Sequence, residues 1–355
     1  MRIRKVTMKD IADACGLSRN TVSKVFNGRG AVPEKTRAFV LSKAQELGYY
    51  QMPAEQSLRE VPKGSIAVLT RPKLLTHGFG SFFITSFTDQ ISRKGYRMQM
   101  YEISPKEISS RVLPPHLNLS ETAGILCIEL FDRSYMEMIC ALGKPTVFVD
   151  ACASANKLLM QCDFVSMENI ASEIELTSRM IAAGAKTIGY VGDRMHCNSF
   201  YERWVGCQIA LQHSGLQADE RFCILDEDNE RYGDTDWLLG KLNAMPGIPD
   251  GFVCANDYLA LHLMTALKRK GLSIPDDVMV AGFDGSLEAS LYEPSLATAY
   301  IPSEDIGRLA AAVLHDRIRF PEQPYHWTYV KTTPVSGGSI RKPANGETSP
   351  GLFDR

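Results

Sequence analysis

The stretch Met8-Lys9-Asp10-Ile11-Ala12-Asp13-Ala14-Cys15-Gly16-Leu17-Ser18-Arg19-Asn20-Thr21-Val22-Ser23-Lys24-Val25-Phe26-Asn27 constrains this chain more than any other. Ile11 and Ala12 give a first helix a buried face, and Ala12 is small enough for a second helix to cross closely. Gly16 supplies the turn, where a positive φ costs it little. Ser18 is a natural N-cap, and Val22, Val25 and Phe26 repeat at helical spacing behind it. Arg19, Asn20, Ser23, Lys24 and Asn27 are left on the outer face. Arginine can pair with guanine O6/N7 and asparagine with adenine N6/N7. Arg19, Asn20 and Lys24 are therefore the candidate base readers, and Ser18, Ser23 and Asn27 the candidate phosphate contacts. A plain surface αα-hairpin whose polar face meets only water is the alternative. The cap, the small crossing residue and the polar face agree better with a DNA-reading helix-turn-helix.

Charge supports that reading weakly. The 355-residue chain carries a formal net charge of −2. Residues 1–62 are net +5 and the remainder net −7, as expected when only the head meets phosphates. The length suits two or three compact units, and a 45% hydrophobic content implies a globular chain. No apolar run is long enough to cross a bilayer, and residues 1–9 lack a signal peptide's apolar stretch, so a cytoplasmic protein with no membrane partner is expected. The nine cysteines have no Cys-x-x-Cys spacing, and several sit in apolar runs. They read as reduced, buried thiols, neither a disulfide framework nor a zinc site.

From Ser65 the rhythm changes. Apolar strands at 65–70, 97–103, 124–129 and 146–149 alternate with helical stretches at 82–94 and 134–142. The pattern restarts after a helix at 170–183. Strands follow at 187–192, 223–225, 251–255 and 278–283, with helices at 202–214, 233–243, 258–270 and 305–318. Alternation of this kind implies βαβ units and parallel sheets, here as two successive α/β lobes.

Val6 through Asn27, with Val32-Pro33-Glu34-Lys35-Thr36-Arg37 and Leu47-Gly48-Tyr49, resembles the head of the LacI/GalR family of repressors. The resemblance continues in order through Phe82-Phe83, Gly95-Tyr96, Gly124-Ile125, Val149-Asp150, Glu168-Asn169, Arg203-Trp204-Val205-Gly206, Ala255-Asn256-Asp257, Ile274–Val278, Gly282-Phe283-Asp284 and Pro294-Ser295-Leu296. It implies an all-α helix-turn-helix head at 1–48 and a hinge at 49–62. It further implies an α/β periplasmic-binding-protein-like core of two Rossmann-like lobes at 63–340, for effector binding and dimerisation. A flexible tail, 341–355, is expected behind them. It also implies that the hinge folds on DNA and wedges Leu58 into the minor groove, bending the duplex. Packing of Leu58 on the core is the alternative. The hinge departs from the family: Gln51 and Met52 stand where Pro-Asn is usual, Pro53 comes later, and Glu55 adds a negative charge near phosphates.

By the same resemblance, Asp150, Arg203, Asn256 and Asp284 line a cleft between the lobes. Asp150, Asn256 and Asp284 also fall at or just after strand ends, where open α/β sheets bind ligands. Carboxylates accept from hydroxyls and arginine donates as a planar fork, a set suited to a sugar or polyol. For each acid alone, a helix cap or an ion pair is the alternative. A long loop at 71–80 adds Arg71 as a candidate for an anionic effector, and Ile301 stands where the family often has a polar residue. The dinucleotide, P-loop, nucleophile-elbow and zinc-protease motifs are missing. The expectation is thus a non-enzymatic regulator without cofactor or metal. It would repress carbohydrate genes as a homodimer or higher oligomer on pseudo-palindromic operator DNA, under control of a small-molecule effector.

Overall fold

The computed structural model describes residues 6–27, 32–47, 49, 63–72, 78–153 and 160–342. Leu58 with most of the hinge, and the tail from residue 343, lie outside the described residues. The chain divides into two units, Met1–Lys63 and Gly64–Arg355.

The first unit holds α1 (Met8–Cys15), α2 (Arg19–Asn27) and α3 (Glu34–Glu46). Thr7 opens α1 with a capping box: its backbone N–H donates to Asp10 Oδ2 at 2.7 Å, and the Asp10 N–H donates back to Thr7 Oγ1 at 3.4 Å. Gly16 closes α1 at φ +64°. A Cβ there would touch nothing within 4 Å, so backbone conformation and not space favours glycine. Ile11, Ala12, Val22, Val25 and Phe26, the five residues expected inside, are buried with Val40 and Ala44 of α3.

The second unit begins with β1 (Ser65–Thr70), α4 (Gly78–Arg93), β2 (Arg97–Glu102), α5 (Pro105–Ser110), β3 (Thr122–Ile128), α6 (Arg133–Cys140), β4 (Thr146–Val149) and β5 (Asp163–Met167). There follow α7 (Ile170–Ala182), β6 (Ile188–Val191), α8 (Asn198–His213), α9 (Thr235–Ala244), β7 (Gly251–Cys254), α10 (Asp257–Arg269), β8 (Met279–Ala281), α11 (Leu287–Leu291), β9 (Thr298–Tyr300), α12 (Ser303–Arg319), β10 (Trp327–Val330) and β11 (Thr333–Val335). One sheet runs β10-β5-β4-β3-β1-β2 and another β6-β7-β8, both parallel; β11 pairs antiparallel with β9. Central strands such as β1 and β4 are buried along their whole length, as parallel sheets covered on both faces require.

Two expectations need correction. The lobes are interleaved, not successive. After β9 the chain returns to the first sheet through α12 and β10, then crosses back into β11. The expected strand at 223–225 is a single bridge between Ile224 and Val191, held by Ile224 N–H to Tyr190 O and Gly192 N–H to Ile224 O, both 2.9 Å. Its apolar run is too short to build more.

The return depends on α12. Gly307 lets it lie against α4: a Cβ there would fall 2.5 Å from the Phe83 carbonyl oxygen. At its far end Arg317, 5% exposed, grips Asp163, 1% exposed, through Nε–Oδ2 at 2.8 Å and Nη2–Oδ1 at 3.0 Å. The same guanidinium donates to the carbonyls of Pro321 and Pro324 at 3.0 and 2.8 Å, and Asp163 Oδ1 accepts from the His326 N–H. One buried pair thereby sets the turn that delivers β10 beside β5. Removing one partner of such a pair strands the other without water. Arg317→Met is expected to cost about 3–5 kcal/mol in urea unfolding; a loss under about 1 kcal/mol, the size of an exposed pair, would refute this role.

Candidate functional site

On α2, Arg19, Asn20 and Lys24 are all exposed, while Val22, Val25 and Phe26 fill the core behind them. Ser18 Oγ accepts the Thr21 N–H at 3.0 Å and lies 2.8 Å from Thr21 Oγ1, so its first task is the cap. Ser23 is half-buried. Asn27 ends the helix, and its side chain lies outside the described residues.

The second site forms where the carboxyl ends of the two parallel sheets converge. Four described residues other than glycine have positive φ. Arg111 caps α5. The other three are acids directly after strands or the loop of one: Glu129 after β3 (φ +55°), Asp150 after β4 (φ +62°) and Asp284 beyond β8 (φ +129°). Such backbone is strained for a residue bearing a Cβ and persists only where its surroundings impose it. Asp150 Oδ1 accepts from the Ala151 N–H at 2.7 Å, and its Oδ2 from the Ser199 N–H at 3.4 Å across the lobes. Burial pushes its carboxyl up from the usual range, against the hydrogen bonds it accepts and the Arg203 charge.

Arg203, 3% exposed, lies at the centre. Its Nε donates to Asn169 Oδ1 at 3.0 Å and its Nη1 to the Ala255 carbonyl at 2.5 Å. It stacks 3.8 Å from the Phe283 ring centre and pairs with Asp284 at 3.6 Å. Burial pushes the Asp284 carboxyl up to about 8; Arg203 opposes that, and the charges of Asp257 and Glu129 add to it. Asn256 stands beside this group, but its Oδ1 caps α10 by accepting the Leu259 N–H at 2.9 Å. That is the capping role weighed above for the acids. Arg71 is exposed just past β1. Its guanidinium lies 6.0 Å from the Phe131 ring, which meets His196 edge-on at 5.1 Å. His196 Nδ1 is 3.3 Å from Asp228, and burial lowers its pKa.

The fold thus gathers Asp150, Arg203 and Asp284, sets Asn256 beside them, and puts Arg71 near an aromatic rim. Sequence reasoning missed Glu129, absorbed into its strand although it follows β3 as Asp150 follows β4. It also missed the rim residues Phe131 and His196, which no local pattern marks. Glu173 was missed too. It is fully buried on α7, accepts from Thr177 Oγ1 at 3.2 Å, and its Oε2 has no hydrogen-bond partner among the described residues. Burial pushes its pKa up to about 8 against the pull of Arg203.

Residues 7–51 match the model of bacterial regulatory proteins of the lacI family, and residues 177–340 that of a periplasmic binding protein-like domain. The chain thus carries a DNA-binding domain of the lacI family and, behind it, a periplasmic-binding-protein-like domain. It is 26% identical over 316 residues to the HTH-type transcriptional regulator RegA of Clostridium saccharobutylicum, covering 87% of this chain and 91% of that one. It is 27% identical to the regulator CelR of Thermobifida fusca, covering 89% and 93%. A solved complex of a regulator CelR with cellobiose superposes with a TM-score of 0.68 at 25% identity, covering 94% of this chain and 99% of that one. The chain is a DNA-binding transcriptional regulator with a helix-turn-helix head and a periplasmic-binding-protein-like core. Among the described residues no helix is long and apolar enough to cross a membrane, and no group of three histidine, cysteine or acidic side chains is arranged to hold a metal ion.

Glu173 makes stability depend on pH with a definite sign. In the folded chain it keeps its proton up to about pH 8; in the unfolded chain it loses it near 4.3. The native state binds more protons in between, so this contribution falls as pH rises through that window and is level above it. The Tm of Glu173→Gln should decline less from pH 5 to 8 than that of the wild type. Parallel declines would show that Glu173 ionises normally.

Proposed function

We propose that this regulator is a repressor of carbohydrate-metabolism genes. It binds a pseudo-palindromic operator as a homodimer and is controlled by a neutral sugar or similar polyol held between its two lobes. The observation that carries the ligand assignment is the convergence of Asp150, Arg203 and Asp284 beside the stacked ring of Phe283. Asp150 and Asp284 are only partly buried, so their carboxyl oxygens remain as acceptors for the hydroxyls of a polyhydroxyl ligand. Acids outnumber bases there: Asp150, Asp257, Asp284 and Glu173 all lie within reach of the charge on Arg203, and burial raises each of them. Arg203 is already held by Asn169, the Ala255 carbonyl and Asp284, so it is not left to clamp an anion, and Arg71 serves as a rim contact. The cellobiose held by the CelR regulator supports the same class of ligand.

For DNA, Arg19, Asn20 and Lys24 read bases in the major groove, and Ser18, Ser23 and Asn27 contact phosphates. Leu58 is assigned to the minor groove and the hinge to 49–62. One such head offers few base contacts, and two related by a two-fold axis match a palindrome. The exposed Leu287 and Leu291 of α11, 70% and 74% accessible, suit a dimer contact.

Arg203 is held by so many protein groups that its removal would disturb the fold along with any ligand, so Asp150→Asn is the cleaner probe. Neutral mono- and disaccharides are expected to raise the wild-type Tm, sugar phosphates are not, and Asp150→Asn should lose the shift. Stabilisation by sugar phosphates alone would overturn the polyol assignment.

On its operator, Arg19→Ala should lose about 1–3 kcal/mol and discriminate less at one base pair. Equal losses on operator and unrelated DNA would remove Arg19 from base reading. Sedimentation on operator DNA should give two chains per site.

A further inference from the structure

We propose that Cys140 and Cys162 form an oxidisable dithiol in the first lobe, with Cys140 as the entry point for a peroxide and Cys162 as the resolving thiol. All nine cysteines are free thiols, and four of them, Cys127, Cys140, Cys152 and Cys162, pack into one apolar cluster beneath α6. Two of the four lie close together: Cys140 borders the same small cavity as Met160 and Gln161, the residues just before Cys162, although 22 positions of chain separate the two cysteines. α6 ends at Cys140, and Cys162 immediately precedes β5, so the helix end and the strand start bring the sulfurs together.

Access differs between the two. Cys162 is buried, 2% exposed. Cys140 is half-buried and lines a surface cavity of about 210 Å³ with Glu137, Ala141, Met160 and Gln161. A small oxidant can reach one sulfur of the pair and not the other. The interaction between the two thiols lowers the pKa of Cys140, toward a thiolate charge, and raises that of Cys162, in the same sense as the difference in access. Glu137 opposes that charge, and its own is countered by Arg133 at 2.8 Å.

The chemistry balances. The Cys140 thiolate attacks one peroxide oxygen, the O–O bond breaks, and the departing hydroxide takes a proton to become water. Cys140 is then a sulfenic acid. The Cys162 sulfur, giving up its proton, attacks the Cys140 sulfur; the S–O bond breaks, and the second oxygen leaves as water. Two thiols are oxidised to a disulfide and one peroxide is reduced.

The test uses the reduced full-length chain treated with hydrogen peroxide, its remaining thiols alkylated and located by mass spectrometry. Two of the nine thiols are expected to disappear first and to return with dithiothreitol, in linked peptides holding Cys140 and Cys162. Cys140→Ser should slow the loss of the Cys162 thiol about tenfold or more. Cys162→Ala should leave Cys140 as a sulfenic acid that dimedone traps. Because Cys162 is buried and its variant can fail to fold, the half-buried Cys140→Ser decides the matter alone. Survival of all nine thiols under peroxide that oxidises glutathione would overturn the proposal. So would an unchanged rate in Cys140→Ser, or a link that runs instead to Cys127 or Cys152.

Discussion

One buried guanidinium ties the second unit together. Arg203 extends from α8 to Asn169, which lies in the two-residue crossing between β5 and α7, and to the carbonyl that follows β7. It lies on Phe283 and faces Asp284 beyond β8. A charge taken this far from water is tolerable only when its donors and its counter-charge are all met. Asn169 is fixed in turn, donating to the Met167 carbonyl at 2.9 Å and to Glu202 at 2.8 Å. The first crossing, the loops after β7 and β8, and the start of α8 therefore share one electrostatic solution. None of them can shift far without leaving part of the guanidinium unpaired.

The crossings show the same economy. Each joins two elements through two residues: 168–169, 301–302 and 331–332. The first and third are laced to each other and the second to the loop that holds Asp284, so none is an independent linker. Thr332 Oγ1 donates to the Glu168 carbonyl at 2.7 Å and lies 2.7 Å from Ser172 Oγ, the Glu168 N–H donates to Val330 O at 2.8 Å, and the Ile301 N–H donates to Asp284 O at 3.1 Å. Ile301 is 3% exposed. It contributes a backbone donor to the acid loop while its side chain packs, so the crossing needs no polar side chain there.

Much of this was legible in the chain because it is local. The head declared itself through a cap, a glycine turn and a five-residue apolar face, all within twenty residues, and those residues form its core. The strands β1, β3, β4 and β7 stood out because burial on both faces demands continuous apolar runs. The strands β5, β9, β10 and β11 did not. Trp327-Thr328-Tyr329-Val330 is only partly buried, at the sheet edge, and its place beside β5 is decided by Arg317 and Asp163, 154 positions apart. Interleaving of the lobes follows from that long-range pairing and leaves no periodic trace. Asn256 illustrates a different limit: the same residue type and the same strand-end position serve equally for a ligand or a helix cap, and only the geometry of Leu259 reveals the cap.

Glu129, Asp150 and Asp284 raise a question of energetics that packing alone does not answer. Three acids on positive-φ backbone, gathered with Asp257 and Glu173 around one arginine, make a costly arrangement for a domain whose only task is to stay folded. Apolar residues at the same positions would avoid both desolvation and charge repulsion. The cost is offset if a ligand supplies hydroxyl donors where the protein supplies acceptors, since each donated hydrogen bond favours the charged carboxylate. Acids from both lobes take part, Glu129 and Asp150 from the first and Asp284 from the second, so a ligand that satisfies them all must bind one lobe arrangement better than another. Differential affinity of that kind is the only means by which a small molecule can shift a conformational equilibrium. On the proposed effector reading, the strain and the raised pKa values are two signs of one property: a site left incomplete by the protein, whose completion by a ligand is coupled to the relation between its lobes.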